Sequence, residues 1–230
     1  MFQYYLEQLR TLLYTVPVIL IAITFHEYAH GWVSEKLGDP TPRLEGRMSL
    51  NPLKHLDLAG TLCLIFFHVG WAKPVRINTR YYKDRRKGII LVSLAGPVMN
   101  FIIAFLSLVL CMLFAVYGGE DSAFAQIVFL LCYYSVQMNI GLGVFNLIPF
   151  RRWTAPMYWN MIYPKVAYFY ARIRPYRTLI LVVLLMSGAL SYPMNSVGNW
   201  LFRLMWTIVS ALMGIDSGGA VVSFLAAHMM

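Results

Sequence analysis

The chain has 230 residues, of which 59% are hydrophobic and only 13% charged, about half the charged share of a soluble globular domain. That composition excludes a soluble enzyme, a disordered tail, a coiled coil and a free nucleic-acid binder. The net charge of +9, from 19 Lys and Arg against 10 Asp and Glu, belongs in such a chain to basic loops beside a membrane rather than to nucleic-acid contact.

A helix crosses the hydrocarbon with about 20 mostly apolar residues, and four or five stretches qualify. The first covers about residues 12–37 and is interrupted by polar side chains from Thr24 to His30. The N-terminus lacks a basic region and a small-residue cleavage site, so this run is expected to be a permanent span and not a cleaved signal. Residues 58–71 are apolar but short, with two glycines and His68, and read as a re-entrant or interfacial segment. Spans are expected over residues 88–117 and 123–149, followed by a short stretch at 178–192 and another at 200–213. The fold class is therefore all-α: a polytopic membrane protein with a core of about three transmembrane helices plus flanking helices and the re-entrant piece. One domain, 1–230, is expected, with its core at about 12–155 and its flanking helices at about 178–215. Cys63, Cys111 and Cys132 have no C-x-x-C spacing and read as core residues.

Basic residues set the orientation. Residues 36–87 hold eleven Lys/Arg and residues 151–177 hold six, seventeen of the nineteen in the chain. The connections at 118–121 and 194–199 hold none. Both basic segments are thus expected on the cytoplasmic side, with the N-terminus outside. The C-terminal ends of the first and third spans then reach the same membrane face.

The chemistry-bearing signal is Phe25-His26-Glu27-Tyr28-Ala29-His30. On a helix, His26 and His30 share a face and can both turn an imidazole to one metal, with Glu27 placed to take a proton from a metal-bound water. Three ionisable side chains inside an apolar run are costly, and this points to function. The bland alternative is a packed histidine pair satisfied by neighbouring carbonyls. Five histidines in all are too few for a two-iron membrane oxygenase, so one redox-silent metal is the natural count. Asn100, Asn139 and Asn146 are amides at membrane depth, each fit for an interhelical hydrogen bond. His55 and Asp57 read as structural, and His68 and His228 lack a spaced partner.

With that motif inside a span, the chain resembles the site-2 proteases, the intramembrane zinc metalloproteases, in their compact bacterial branch. The resemblance runs from about Pro17 to Leu190. It is carried by Leu37-Gly38-Asp39-Pro40, Gly46-Arg47-Met48-Ser49-Leu50-Asn51-Pro52, Gly70-Trp71-Ala72-Lys73-Pro74-Val75, Ala95-Gly96-Pro97-Val98-Met99-Asn100 and Phe145-Asn146-Leu147-Ile148-Pro149. It implies one zinc ion per chain on His26 and His30, with Glu27 as general base and then acid. Asn146, and secondarily Asn139, would hold the substrate backbone or the oxyanion. The implied substrate is a transmembrane helix of another membrane protein, unwound locally, and the implied location is a bacterial inner or plasma membrane.

One departure stands out. The family's second motif supplies a third zinc ligand from an L-D-G aspartate, and here that position falls on Thr154 and the glycine on Ala155. No Asp or Glu occurs between Asp121 and Asp216. Three outcomes stay open: an altered form of an active protease, a non-catalytic relative that binds transmembrane segments, or an enzyme whose third ligand is Asp57, His55 or water.

Overall fold

The computed structural model describes residues 2–57, 72–118, 122–148, 176, 179–180, 183–184 and 187–214. Among them the elements are helical, in the order α1 (Phe2–Lys36), α2 (Thr41–Leu44), α3 (Arg85–Tyr117), α4 (Ala123–Leu147) and α5 (Ser191–Met213). Two single 3-10 turns, Pro52–Lys54 and Thr79–Tyr81, lie in the connection between α2 and α3. The re-entrant piece at 58–71 and the second-motif stretch with Thr154 lie outside the described residues.

Helices α1, α3 and α4 are each long and apolar enough to cross a membrane. Even α4, at 25 residues, is about 37 Å long, more than the roughly 30 Å of hydrocarbon. The chain is an all-α polytopic membrane protein. The starts of α3 and α4 are set by side-chain caps. Asp84 accepts from the Lys87 amide at 3.0 Å to open α3, and Ser122 accepts from the Ala125 amide at 3.3 Å to open α4, each offsetting one orphan donor of the first turn.

Two boundaries differ from the sequence expectation. Helix α1 begins at Phe2 rather than near residue 12. Its polar first turns are compatible with helix because Arg10 pairs with Glu7 and the hydroxyls of Thr11 and Thr15 bond carbonyls four residues back. Residues 194–199, expected as a connection, are helical within α5. Pro193 lies in the first turn, where the missing N–H has no intrahelical partner to lose. The reversal comes earlier, at 187–190, where Gly188 takes φ +71.

Helices α1, α3 and α4 pack against one another, and α5 lies on α3 and α4. Ala104, Leu108 and Met112 of α3 meet Val136, Ile140 and Val144 of α4, with Met205 and Val209 of α5 closing the cluster. The opposite face of α3 exposes Ile102, Leu106 and Leu110, one turn apart, a stripe suited to lipid tails. The inward stripe carries small and polar residues, Gly96, Asn100, Ala104 and Ser107, which let helix backbones approach closely where apolarity gives no driving force. Cys111 and Cys132 are buried with Phe129 in a second cluster, as expected of core residues.

Residues 72–78 form an extended strap beside the C-terminal half of α1. One end is tied by the antiparallel Leu56–Ala72 bridge and the Lys73 amide donating to the His55 carbonyl at 2.8 Å. Asp39 holds the other end: its buried carboxylate accepts from the Asn78 amide at 2.7 Å, the Ser34 hydroxyl at 2.8 Å and the Thr41 amide at 2.9 Å. Burial alone would raise the Asp39 pKa, but these donors outweigh it and hold the carboxyl below its ordinary value.

Candidate metal centre

His26 and His30 lie on the buried side of α1, 7% and 8% exposed, ten and six residues before its C-terminal end at Lys36. Their i, i+4 spacing stacks them on one face. The two Nε2 atoms converge at 3.1 Å, with the rings edge to face at 87°.

Each ring is held from behind by an oxygen on α3. His30 Nδ1 lies 2.6 Å from the Val92 carbonyl, and His26 Nδ1 lies 2.5 Å from Asn100 Oδ1. Both partners accept only, so each imidazole carries its proton on Nδ1 and presents a lone pair at Nε2. Two lone pairs facing at 3.1 Å repel unless a cation lies between them. Zinc–nitrogen bonds of about 2.0–2.1 Å at a tetrahedral angle separate two nitrogens by about 3.3 Å. The pair therefore fits two positions of a zinc shell, with the outer-shell oxygens that metal-bound histidines characteristically need.

The Gly96-Pro97 step explains how α3 comes this close. A Cβ built on Gly96 would lie 2.5 Å from His26 Cε1 and from His30 Nε2, and 2.6 Å from His26 Nε2. Only glycine leaves room for both rings. Pro97, one residue on, lacks the N–H that would bond the Ser93 carbonyl, and loosens the turn beside the Val92 carbonyl that His30 uses.

Glu27 points to the strap. Its Oε2 accepts from the Val75 amide at 3.0 Å, leaving Oε1 as the oxygen that can take a proton. This contact was not legible in the sequence, where Gly70-Trp71-Ala72-Lys73-Pro74-Val75 stood only as one of the stretches that carry the resemblance. A backbone amide donor carries no residue signature, so nothing in the sequence could have found it.

The asparagines divide. Asn100 and Asn139, 0% and 1% exposed, bond each other between α3 and α4 through Asn100 Nδ2 and Asn139 Oδ1 at 3.0 Å. Asn146 lies in the last turn of α4, buried, with its Nδ2 donating to the Leu142 carbonyl at 2.7 Å. Two turns beyond Asn139, it lies about 10 Å farther along the helix, toward the turn of α3 that carries Val92 and Gly96. His55 is fully buried, with Nε2 2.7 Å from the Ser49 carbonyl. It clasps the connection that carries the strap. Among the described residues no group of three or more His, Cys, Asp or Glu side chains is placed to hold a metal, and the expected third-ligand position, Thr154, lies outside them.

Residues 14–124 match Peptidase family M50. The chain carries a peptidase family M50 domain. This is the site-2 protease family to which the motifs pointed, and the match spans His26, Glu27, His30, Gly96 and Asn100. It stops before Asn139, Asn146 and the altered second motif. The chain is also 41% identical over 137 residues to "Putative zinc metalloprotease YwhC" of Bacillus subtilis (strain 168), covering 59% of this chain and 63% of the relative. To "Putative zinc metalloprotease Rip2" of Mycolicibacterium smegmatis it is 35% identical over 96 residues, covering 39% and 36%. The chain thus matches less than two thirds of the length of either relative. No solved structure matches it.

Proposed function

We propose that this M50 domain is an intramembrane zinc metallopeptidase that cleaves transmembrane segments of other membrane proteins, with one zinc ion per chain held by His26 and His30. The observation that carries the reading is the pair of Nε2 atoms converging at 3.1 Å, each ring fixed from behind and Gly96 leaving the space that a Cβ would fill. When bound, zinc supplies Lewis acidity that polarises a carbonyl and acidifies water.

The chain's own residues do the rest. Glu27 takes the proton of the attacking water on Oε1 and returns it to the leaving amine, while the Val75 amide holds Oε2. Asn146 is the residue that meets the substrate backbone or the developing oxyanion. Asn139, whose amide is engaged inside the bundle, is held in second place for that role. The substrate helix must unwind locally, because an intact helix keeps its peptide groups hydrogen-bonded and shielded. The basic segments 36–87 and 151–177 lie on the cytoplasmic side of a bacterial plasma membrane in this reading, and the site opens toward that side.

A second reading has one observation in its favour: Thr154 stands where the family's aspartate ligand belongs, and no Asp or Glu lies between Asp121 and Asp216. A neutral hydroxyl contributes no charge to the ion, so the domain would bind transmembrane segments without cutting them. Incubating the reconstituted protein with a model transmembrane substrate separates the two. Cleavage by the present sequence, abolished in Glu27→Gln, supports the protease. Cleavage by Thr154→Asp alone supports the non-catalytic binder, and absence of cleavage in both contradicts the protease reading.

A further inference from the structure

The hydrogen bonds leading away from His26 have a direction, and it is set on the far side of the bundle. The Ser135 backbone carbonyl on α4 accepts and cannot donate. The part of Asn139 that faces it, at 2.9 Å, is therefore the amide nitrogen Nδ2. That same nitrogen lies 3.3 Å from Ser135 Oγ, and this hydroxyl is itself paired with Ser107 Oγ at 2.7 Å.

With its nitrogen turned to Ser135, Asn139 can offer only Oδ1 to Asn100, which must answer with Nδ2. Asn100 in turn has only Oδ1 left for His26 Nδ1. Reversing Asn139 would set its oxygen against the Ser135 carbonyl and reverse Asn100 as well. The Asn100 amide nitrogen would then face His26 Nδ1, which could meet it only as an acceptor. The His26 proton would move to Nε2, into the 3.1 Å space facing His30. Every side chain between His26 and Ser135 is less than a tenth exposed, and an unmade bond in such surroundings costs about 1–3 kcal/mol, so the polarity propagates intact.

We propose that Asn139, which bonds Asn100 and Ser135, is a positioning residue: acting through Asn100, it keeps His26 in the Nδ1–H tautomer that presents the Nε2 lone pair to a cation. The inference deepens the zinc reading above and rests on it for its purpose, but the tautomer is measurable without metal. It also gives Asn139 a task distinct from meeting substrate, one that its burial at 1% exposure suits.

The test uses the full chain in detergent micelles with 15N-labelled histidine, metal-free, the His26 signals being assigned by their loss in His26→Ala. In the wild type, His26 should read as Nδ1-protonated. Asn139→Leu, or Asn139→Ala if the leucine does not pack, should convert it to a mixture of tautomers and weaken zinc, read by chelator competition, about tenfold to a hundredfold. Asn100→Asp in the same background should restore the Nδ1–H form, because a carboxylate accepts from His26 whichever way its other neighbour turns. A residue that merely packs would leave the tautomer unchanged and would not be rescued by that second change. A wild-type His26 protonated on Nε2, or an unmoved tautomer in the Asn139 variants, overturns the proposal. A tautomer that moves as expected in a protein that binds no zinc would sustain the relay and refute the metal reading.

Discussion

Gly96→Ala places one methyl group into the centre of the site, and the structure sets the size of the effect. The added carbon would lie 2.5 Å from an atom of each imidazole, against the 3.5–4.0 Å of ordinary carbon contact, an overlap of about 1 Å. The rings cannot swing aside cheaply, since His26 would leave Asn100 and His30 would leave the Val92 carbonyl. Overpacking of this kind costs about 1–3 kcal/mol, offset by up to about 1 kcal/mol of helix propensity gained when alanine replaces glycine. Chain stability should therefore fall by about 0–2 kcal/mol, while the displaced rings lose zinc affinity by about tenfold to a hundredfold, at about 1.4 kcal/mol per factor of ten. Gly141→Ala is the control: that glycine also lies inside a helix, but its built Cβ meets nothing within 4 Å, so the change should leave zinc binding untouched. Chelator competition on the two purified variants, beside thermal unfolding in the same detergent, makes the comparison. Wild-type zinc affinity in Gly96→Ala would refute the close approach of α3 to the histidine pair.

Other expectations follow from the same contacts. His30→Ala should remove bound zinc as fully as His26→Ala, because each supplies one of two converging lone pairs; metal analysis of the purified variants checks this. Glu27→Gln keeps an oxygen that can accept from the Val75 amide, so it should fold and retain zinc while any cleavage of a model substrate falls by about a hundredfold or more. Asp39→Asn loses the charge that three donors share and should cost about 2–3 kcal/mol, seen as a lower unfolding temperature. Because the Asp39 pKa is lowered in the folded chain, its contribution to stability is complete above the ordinary carboxylate value of about 3.9. It is lost as pH falls through the lower folded value, so wild type and Asp39→Asn should converge in stability in strong acid and differ by a constant amount above about pH 4.

Much of the architecture was readable because its signals are properties of side chains in register. Apolar runs of sufficient length gave α1, α3 and α4, and the i, i+4 spacing gave a shared face for His26 and His30. Boundaries were harder: nothing apolar marks the first turns of α1, and Pro193 reads as a breaker until its place in a first turn is known. The second layer of the site was less legible for a different reason. The Val92 carbonyl behind His30, the Val75 amide on Glu27 and the Ser135 carbonyl that orients Asn139 are backbone groups, which every residue has and no motif names. Gly96 stood in the sequence only within the Ala95–Asn100 stretch, and packing alone shows that the histidine rings are what approach it. The amides of Asn100 and Asn139 were visible as membrane-depth polar groups fit for interhelical bonds, and the direction of those bonds needed the fold.

X-ray absorption at the zinc edge, on protein purified in detergent and loaded with zinc, tests the central claim most directly. The account predicts two imidazole nitrogens at about 2.0–2.1 Å, both lost when His26 and His30 are replaced together. A zinc shell without imidazole, or one unchanged by that double replacement, would contradict it.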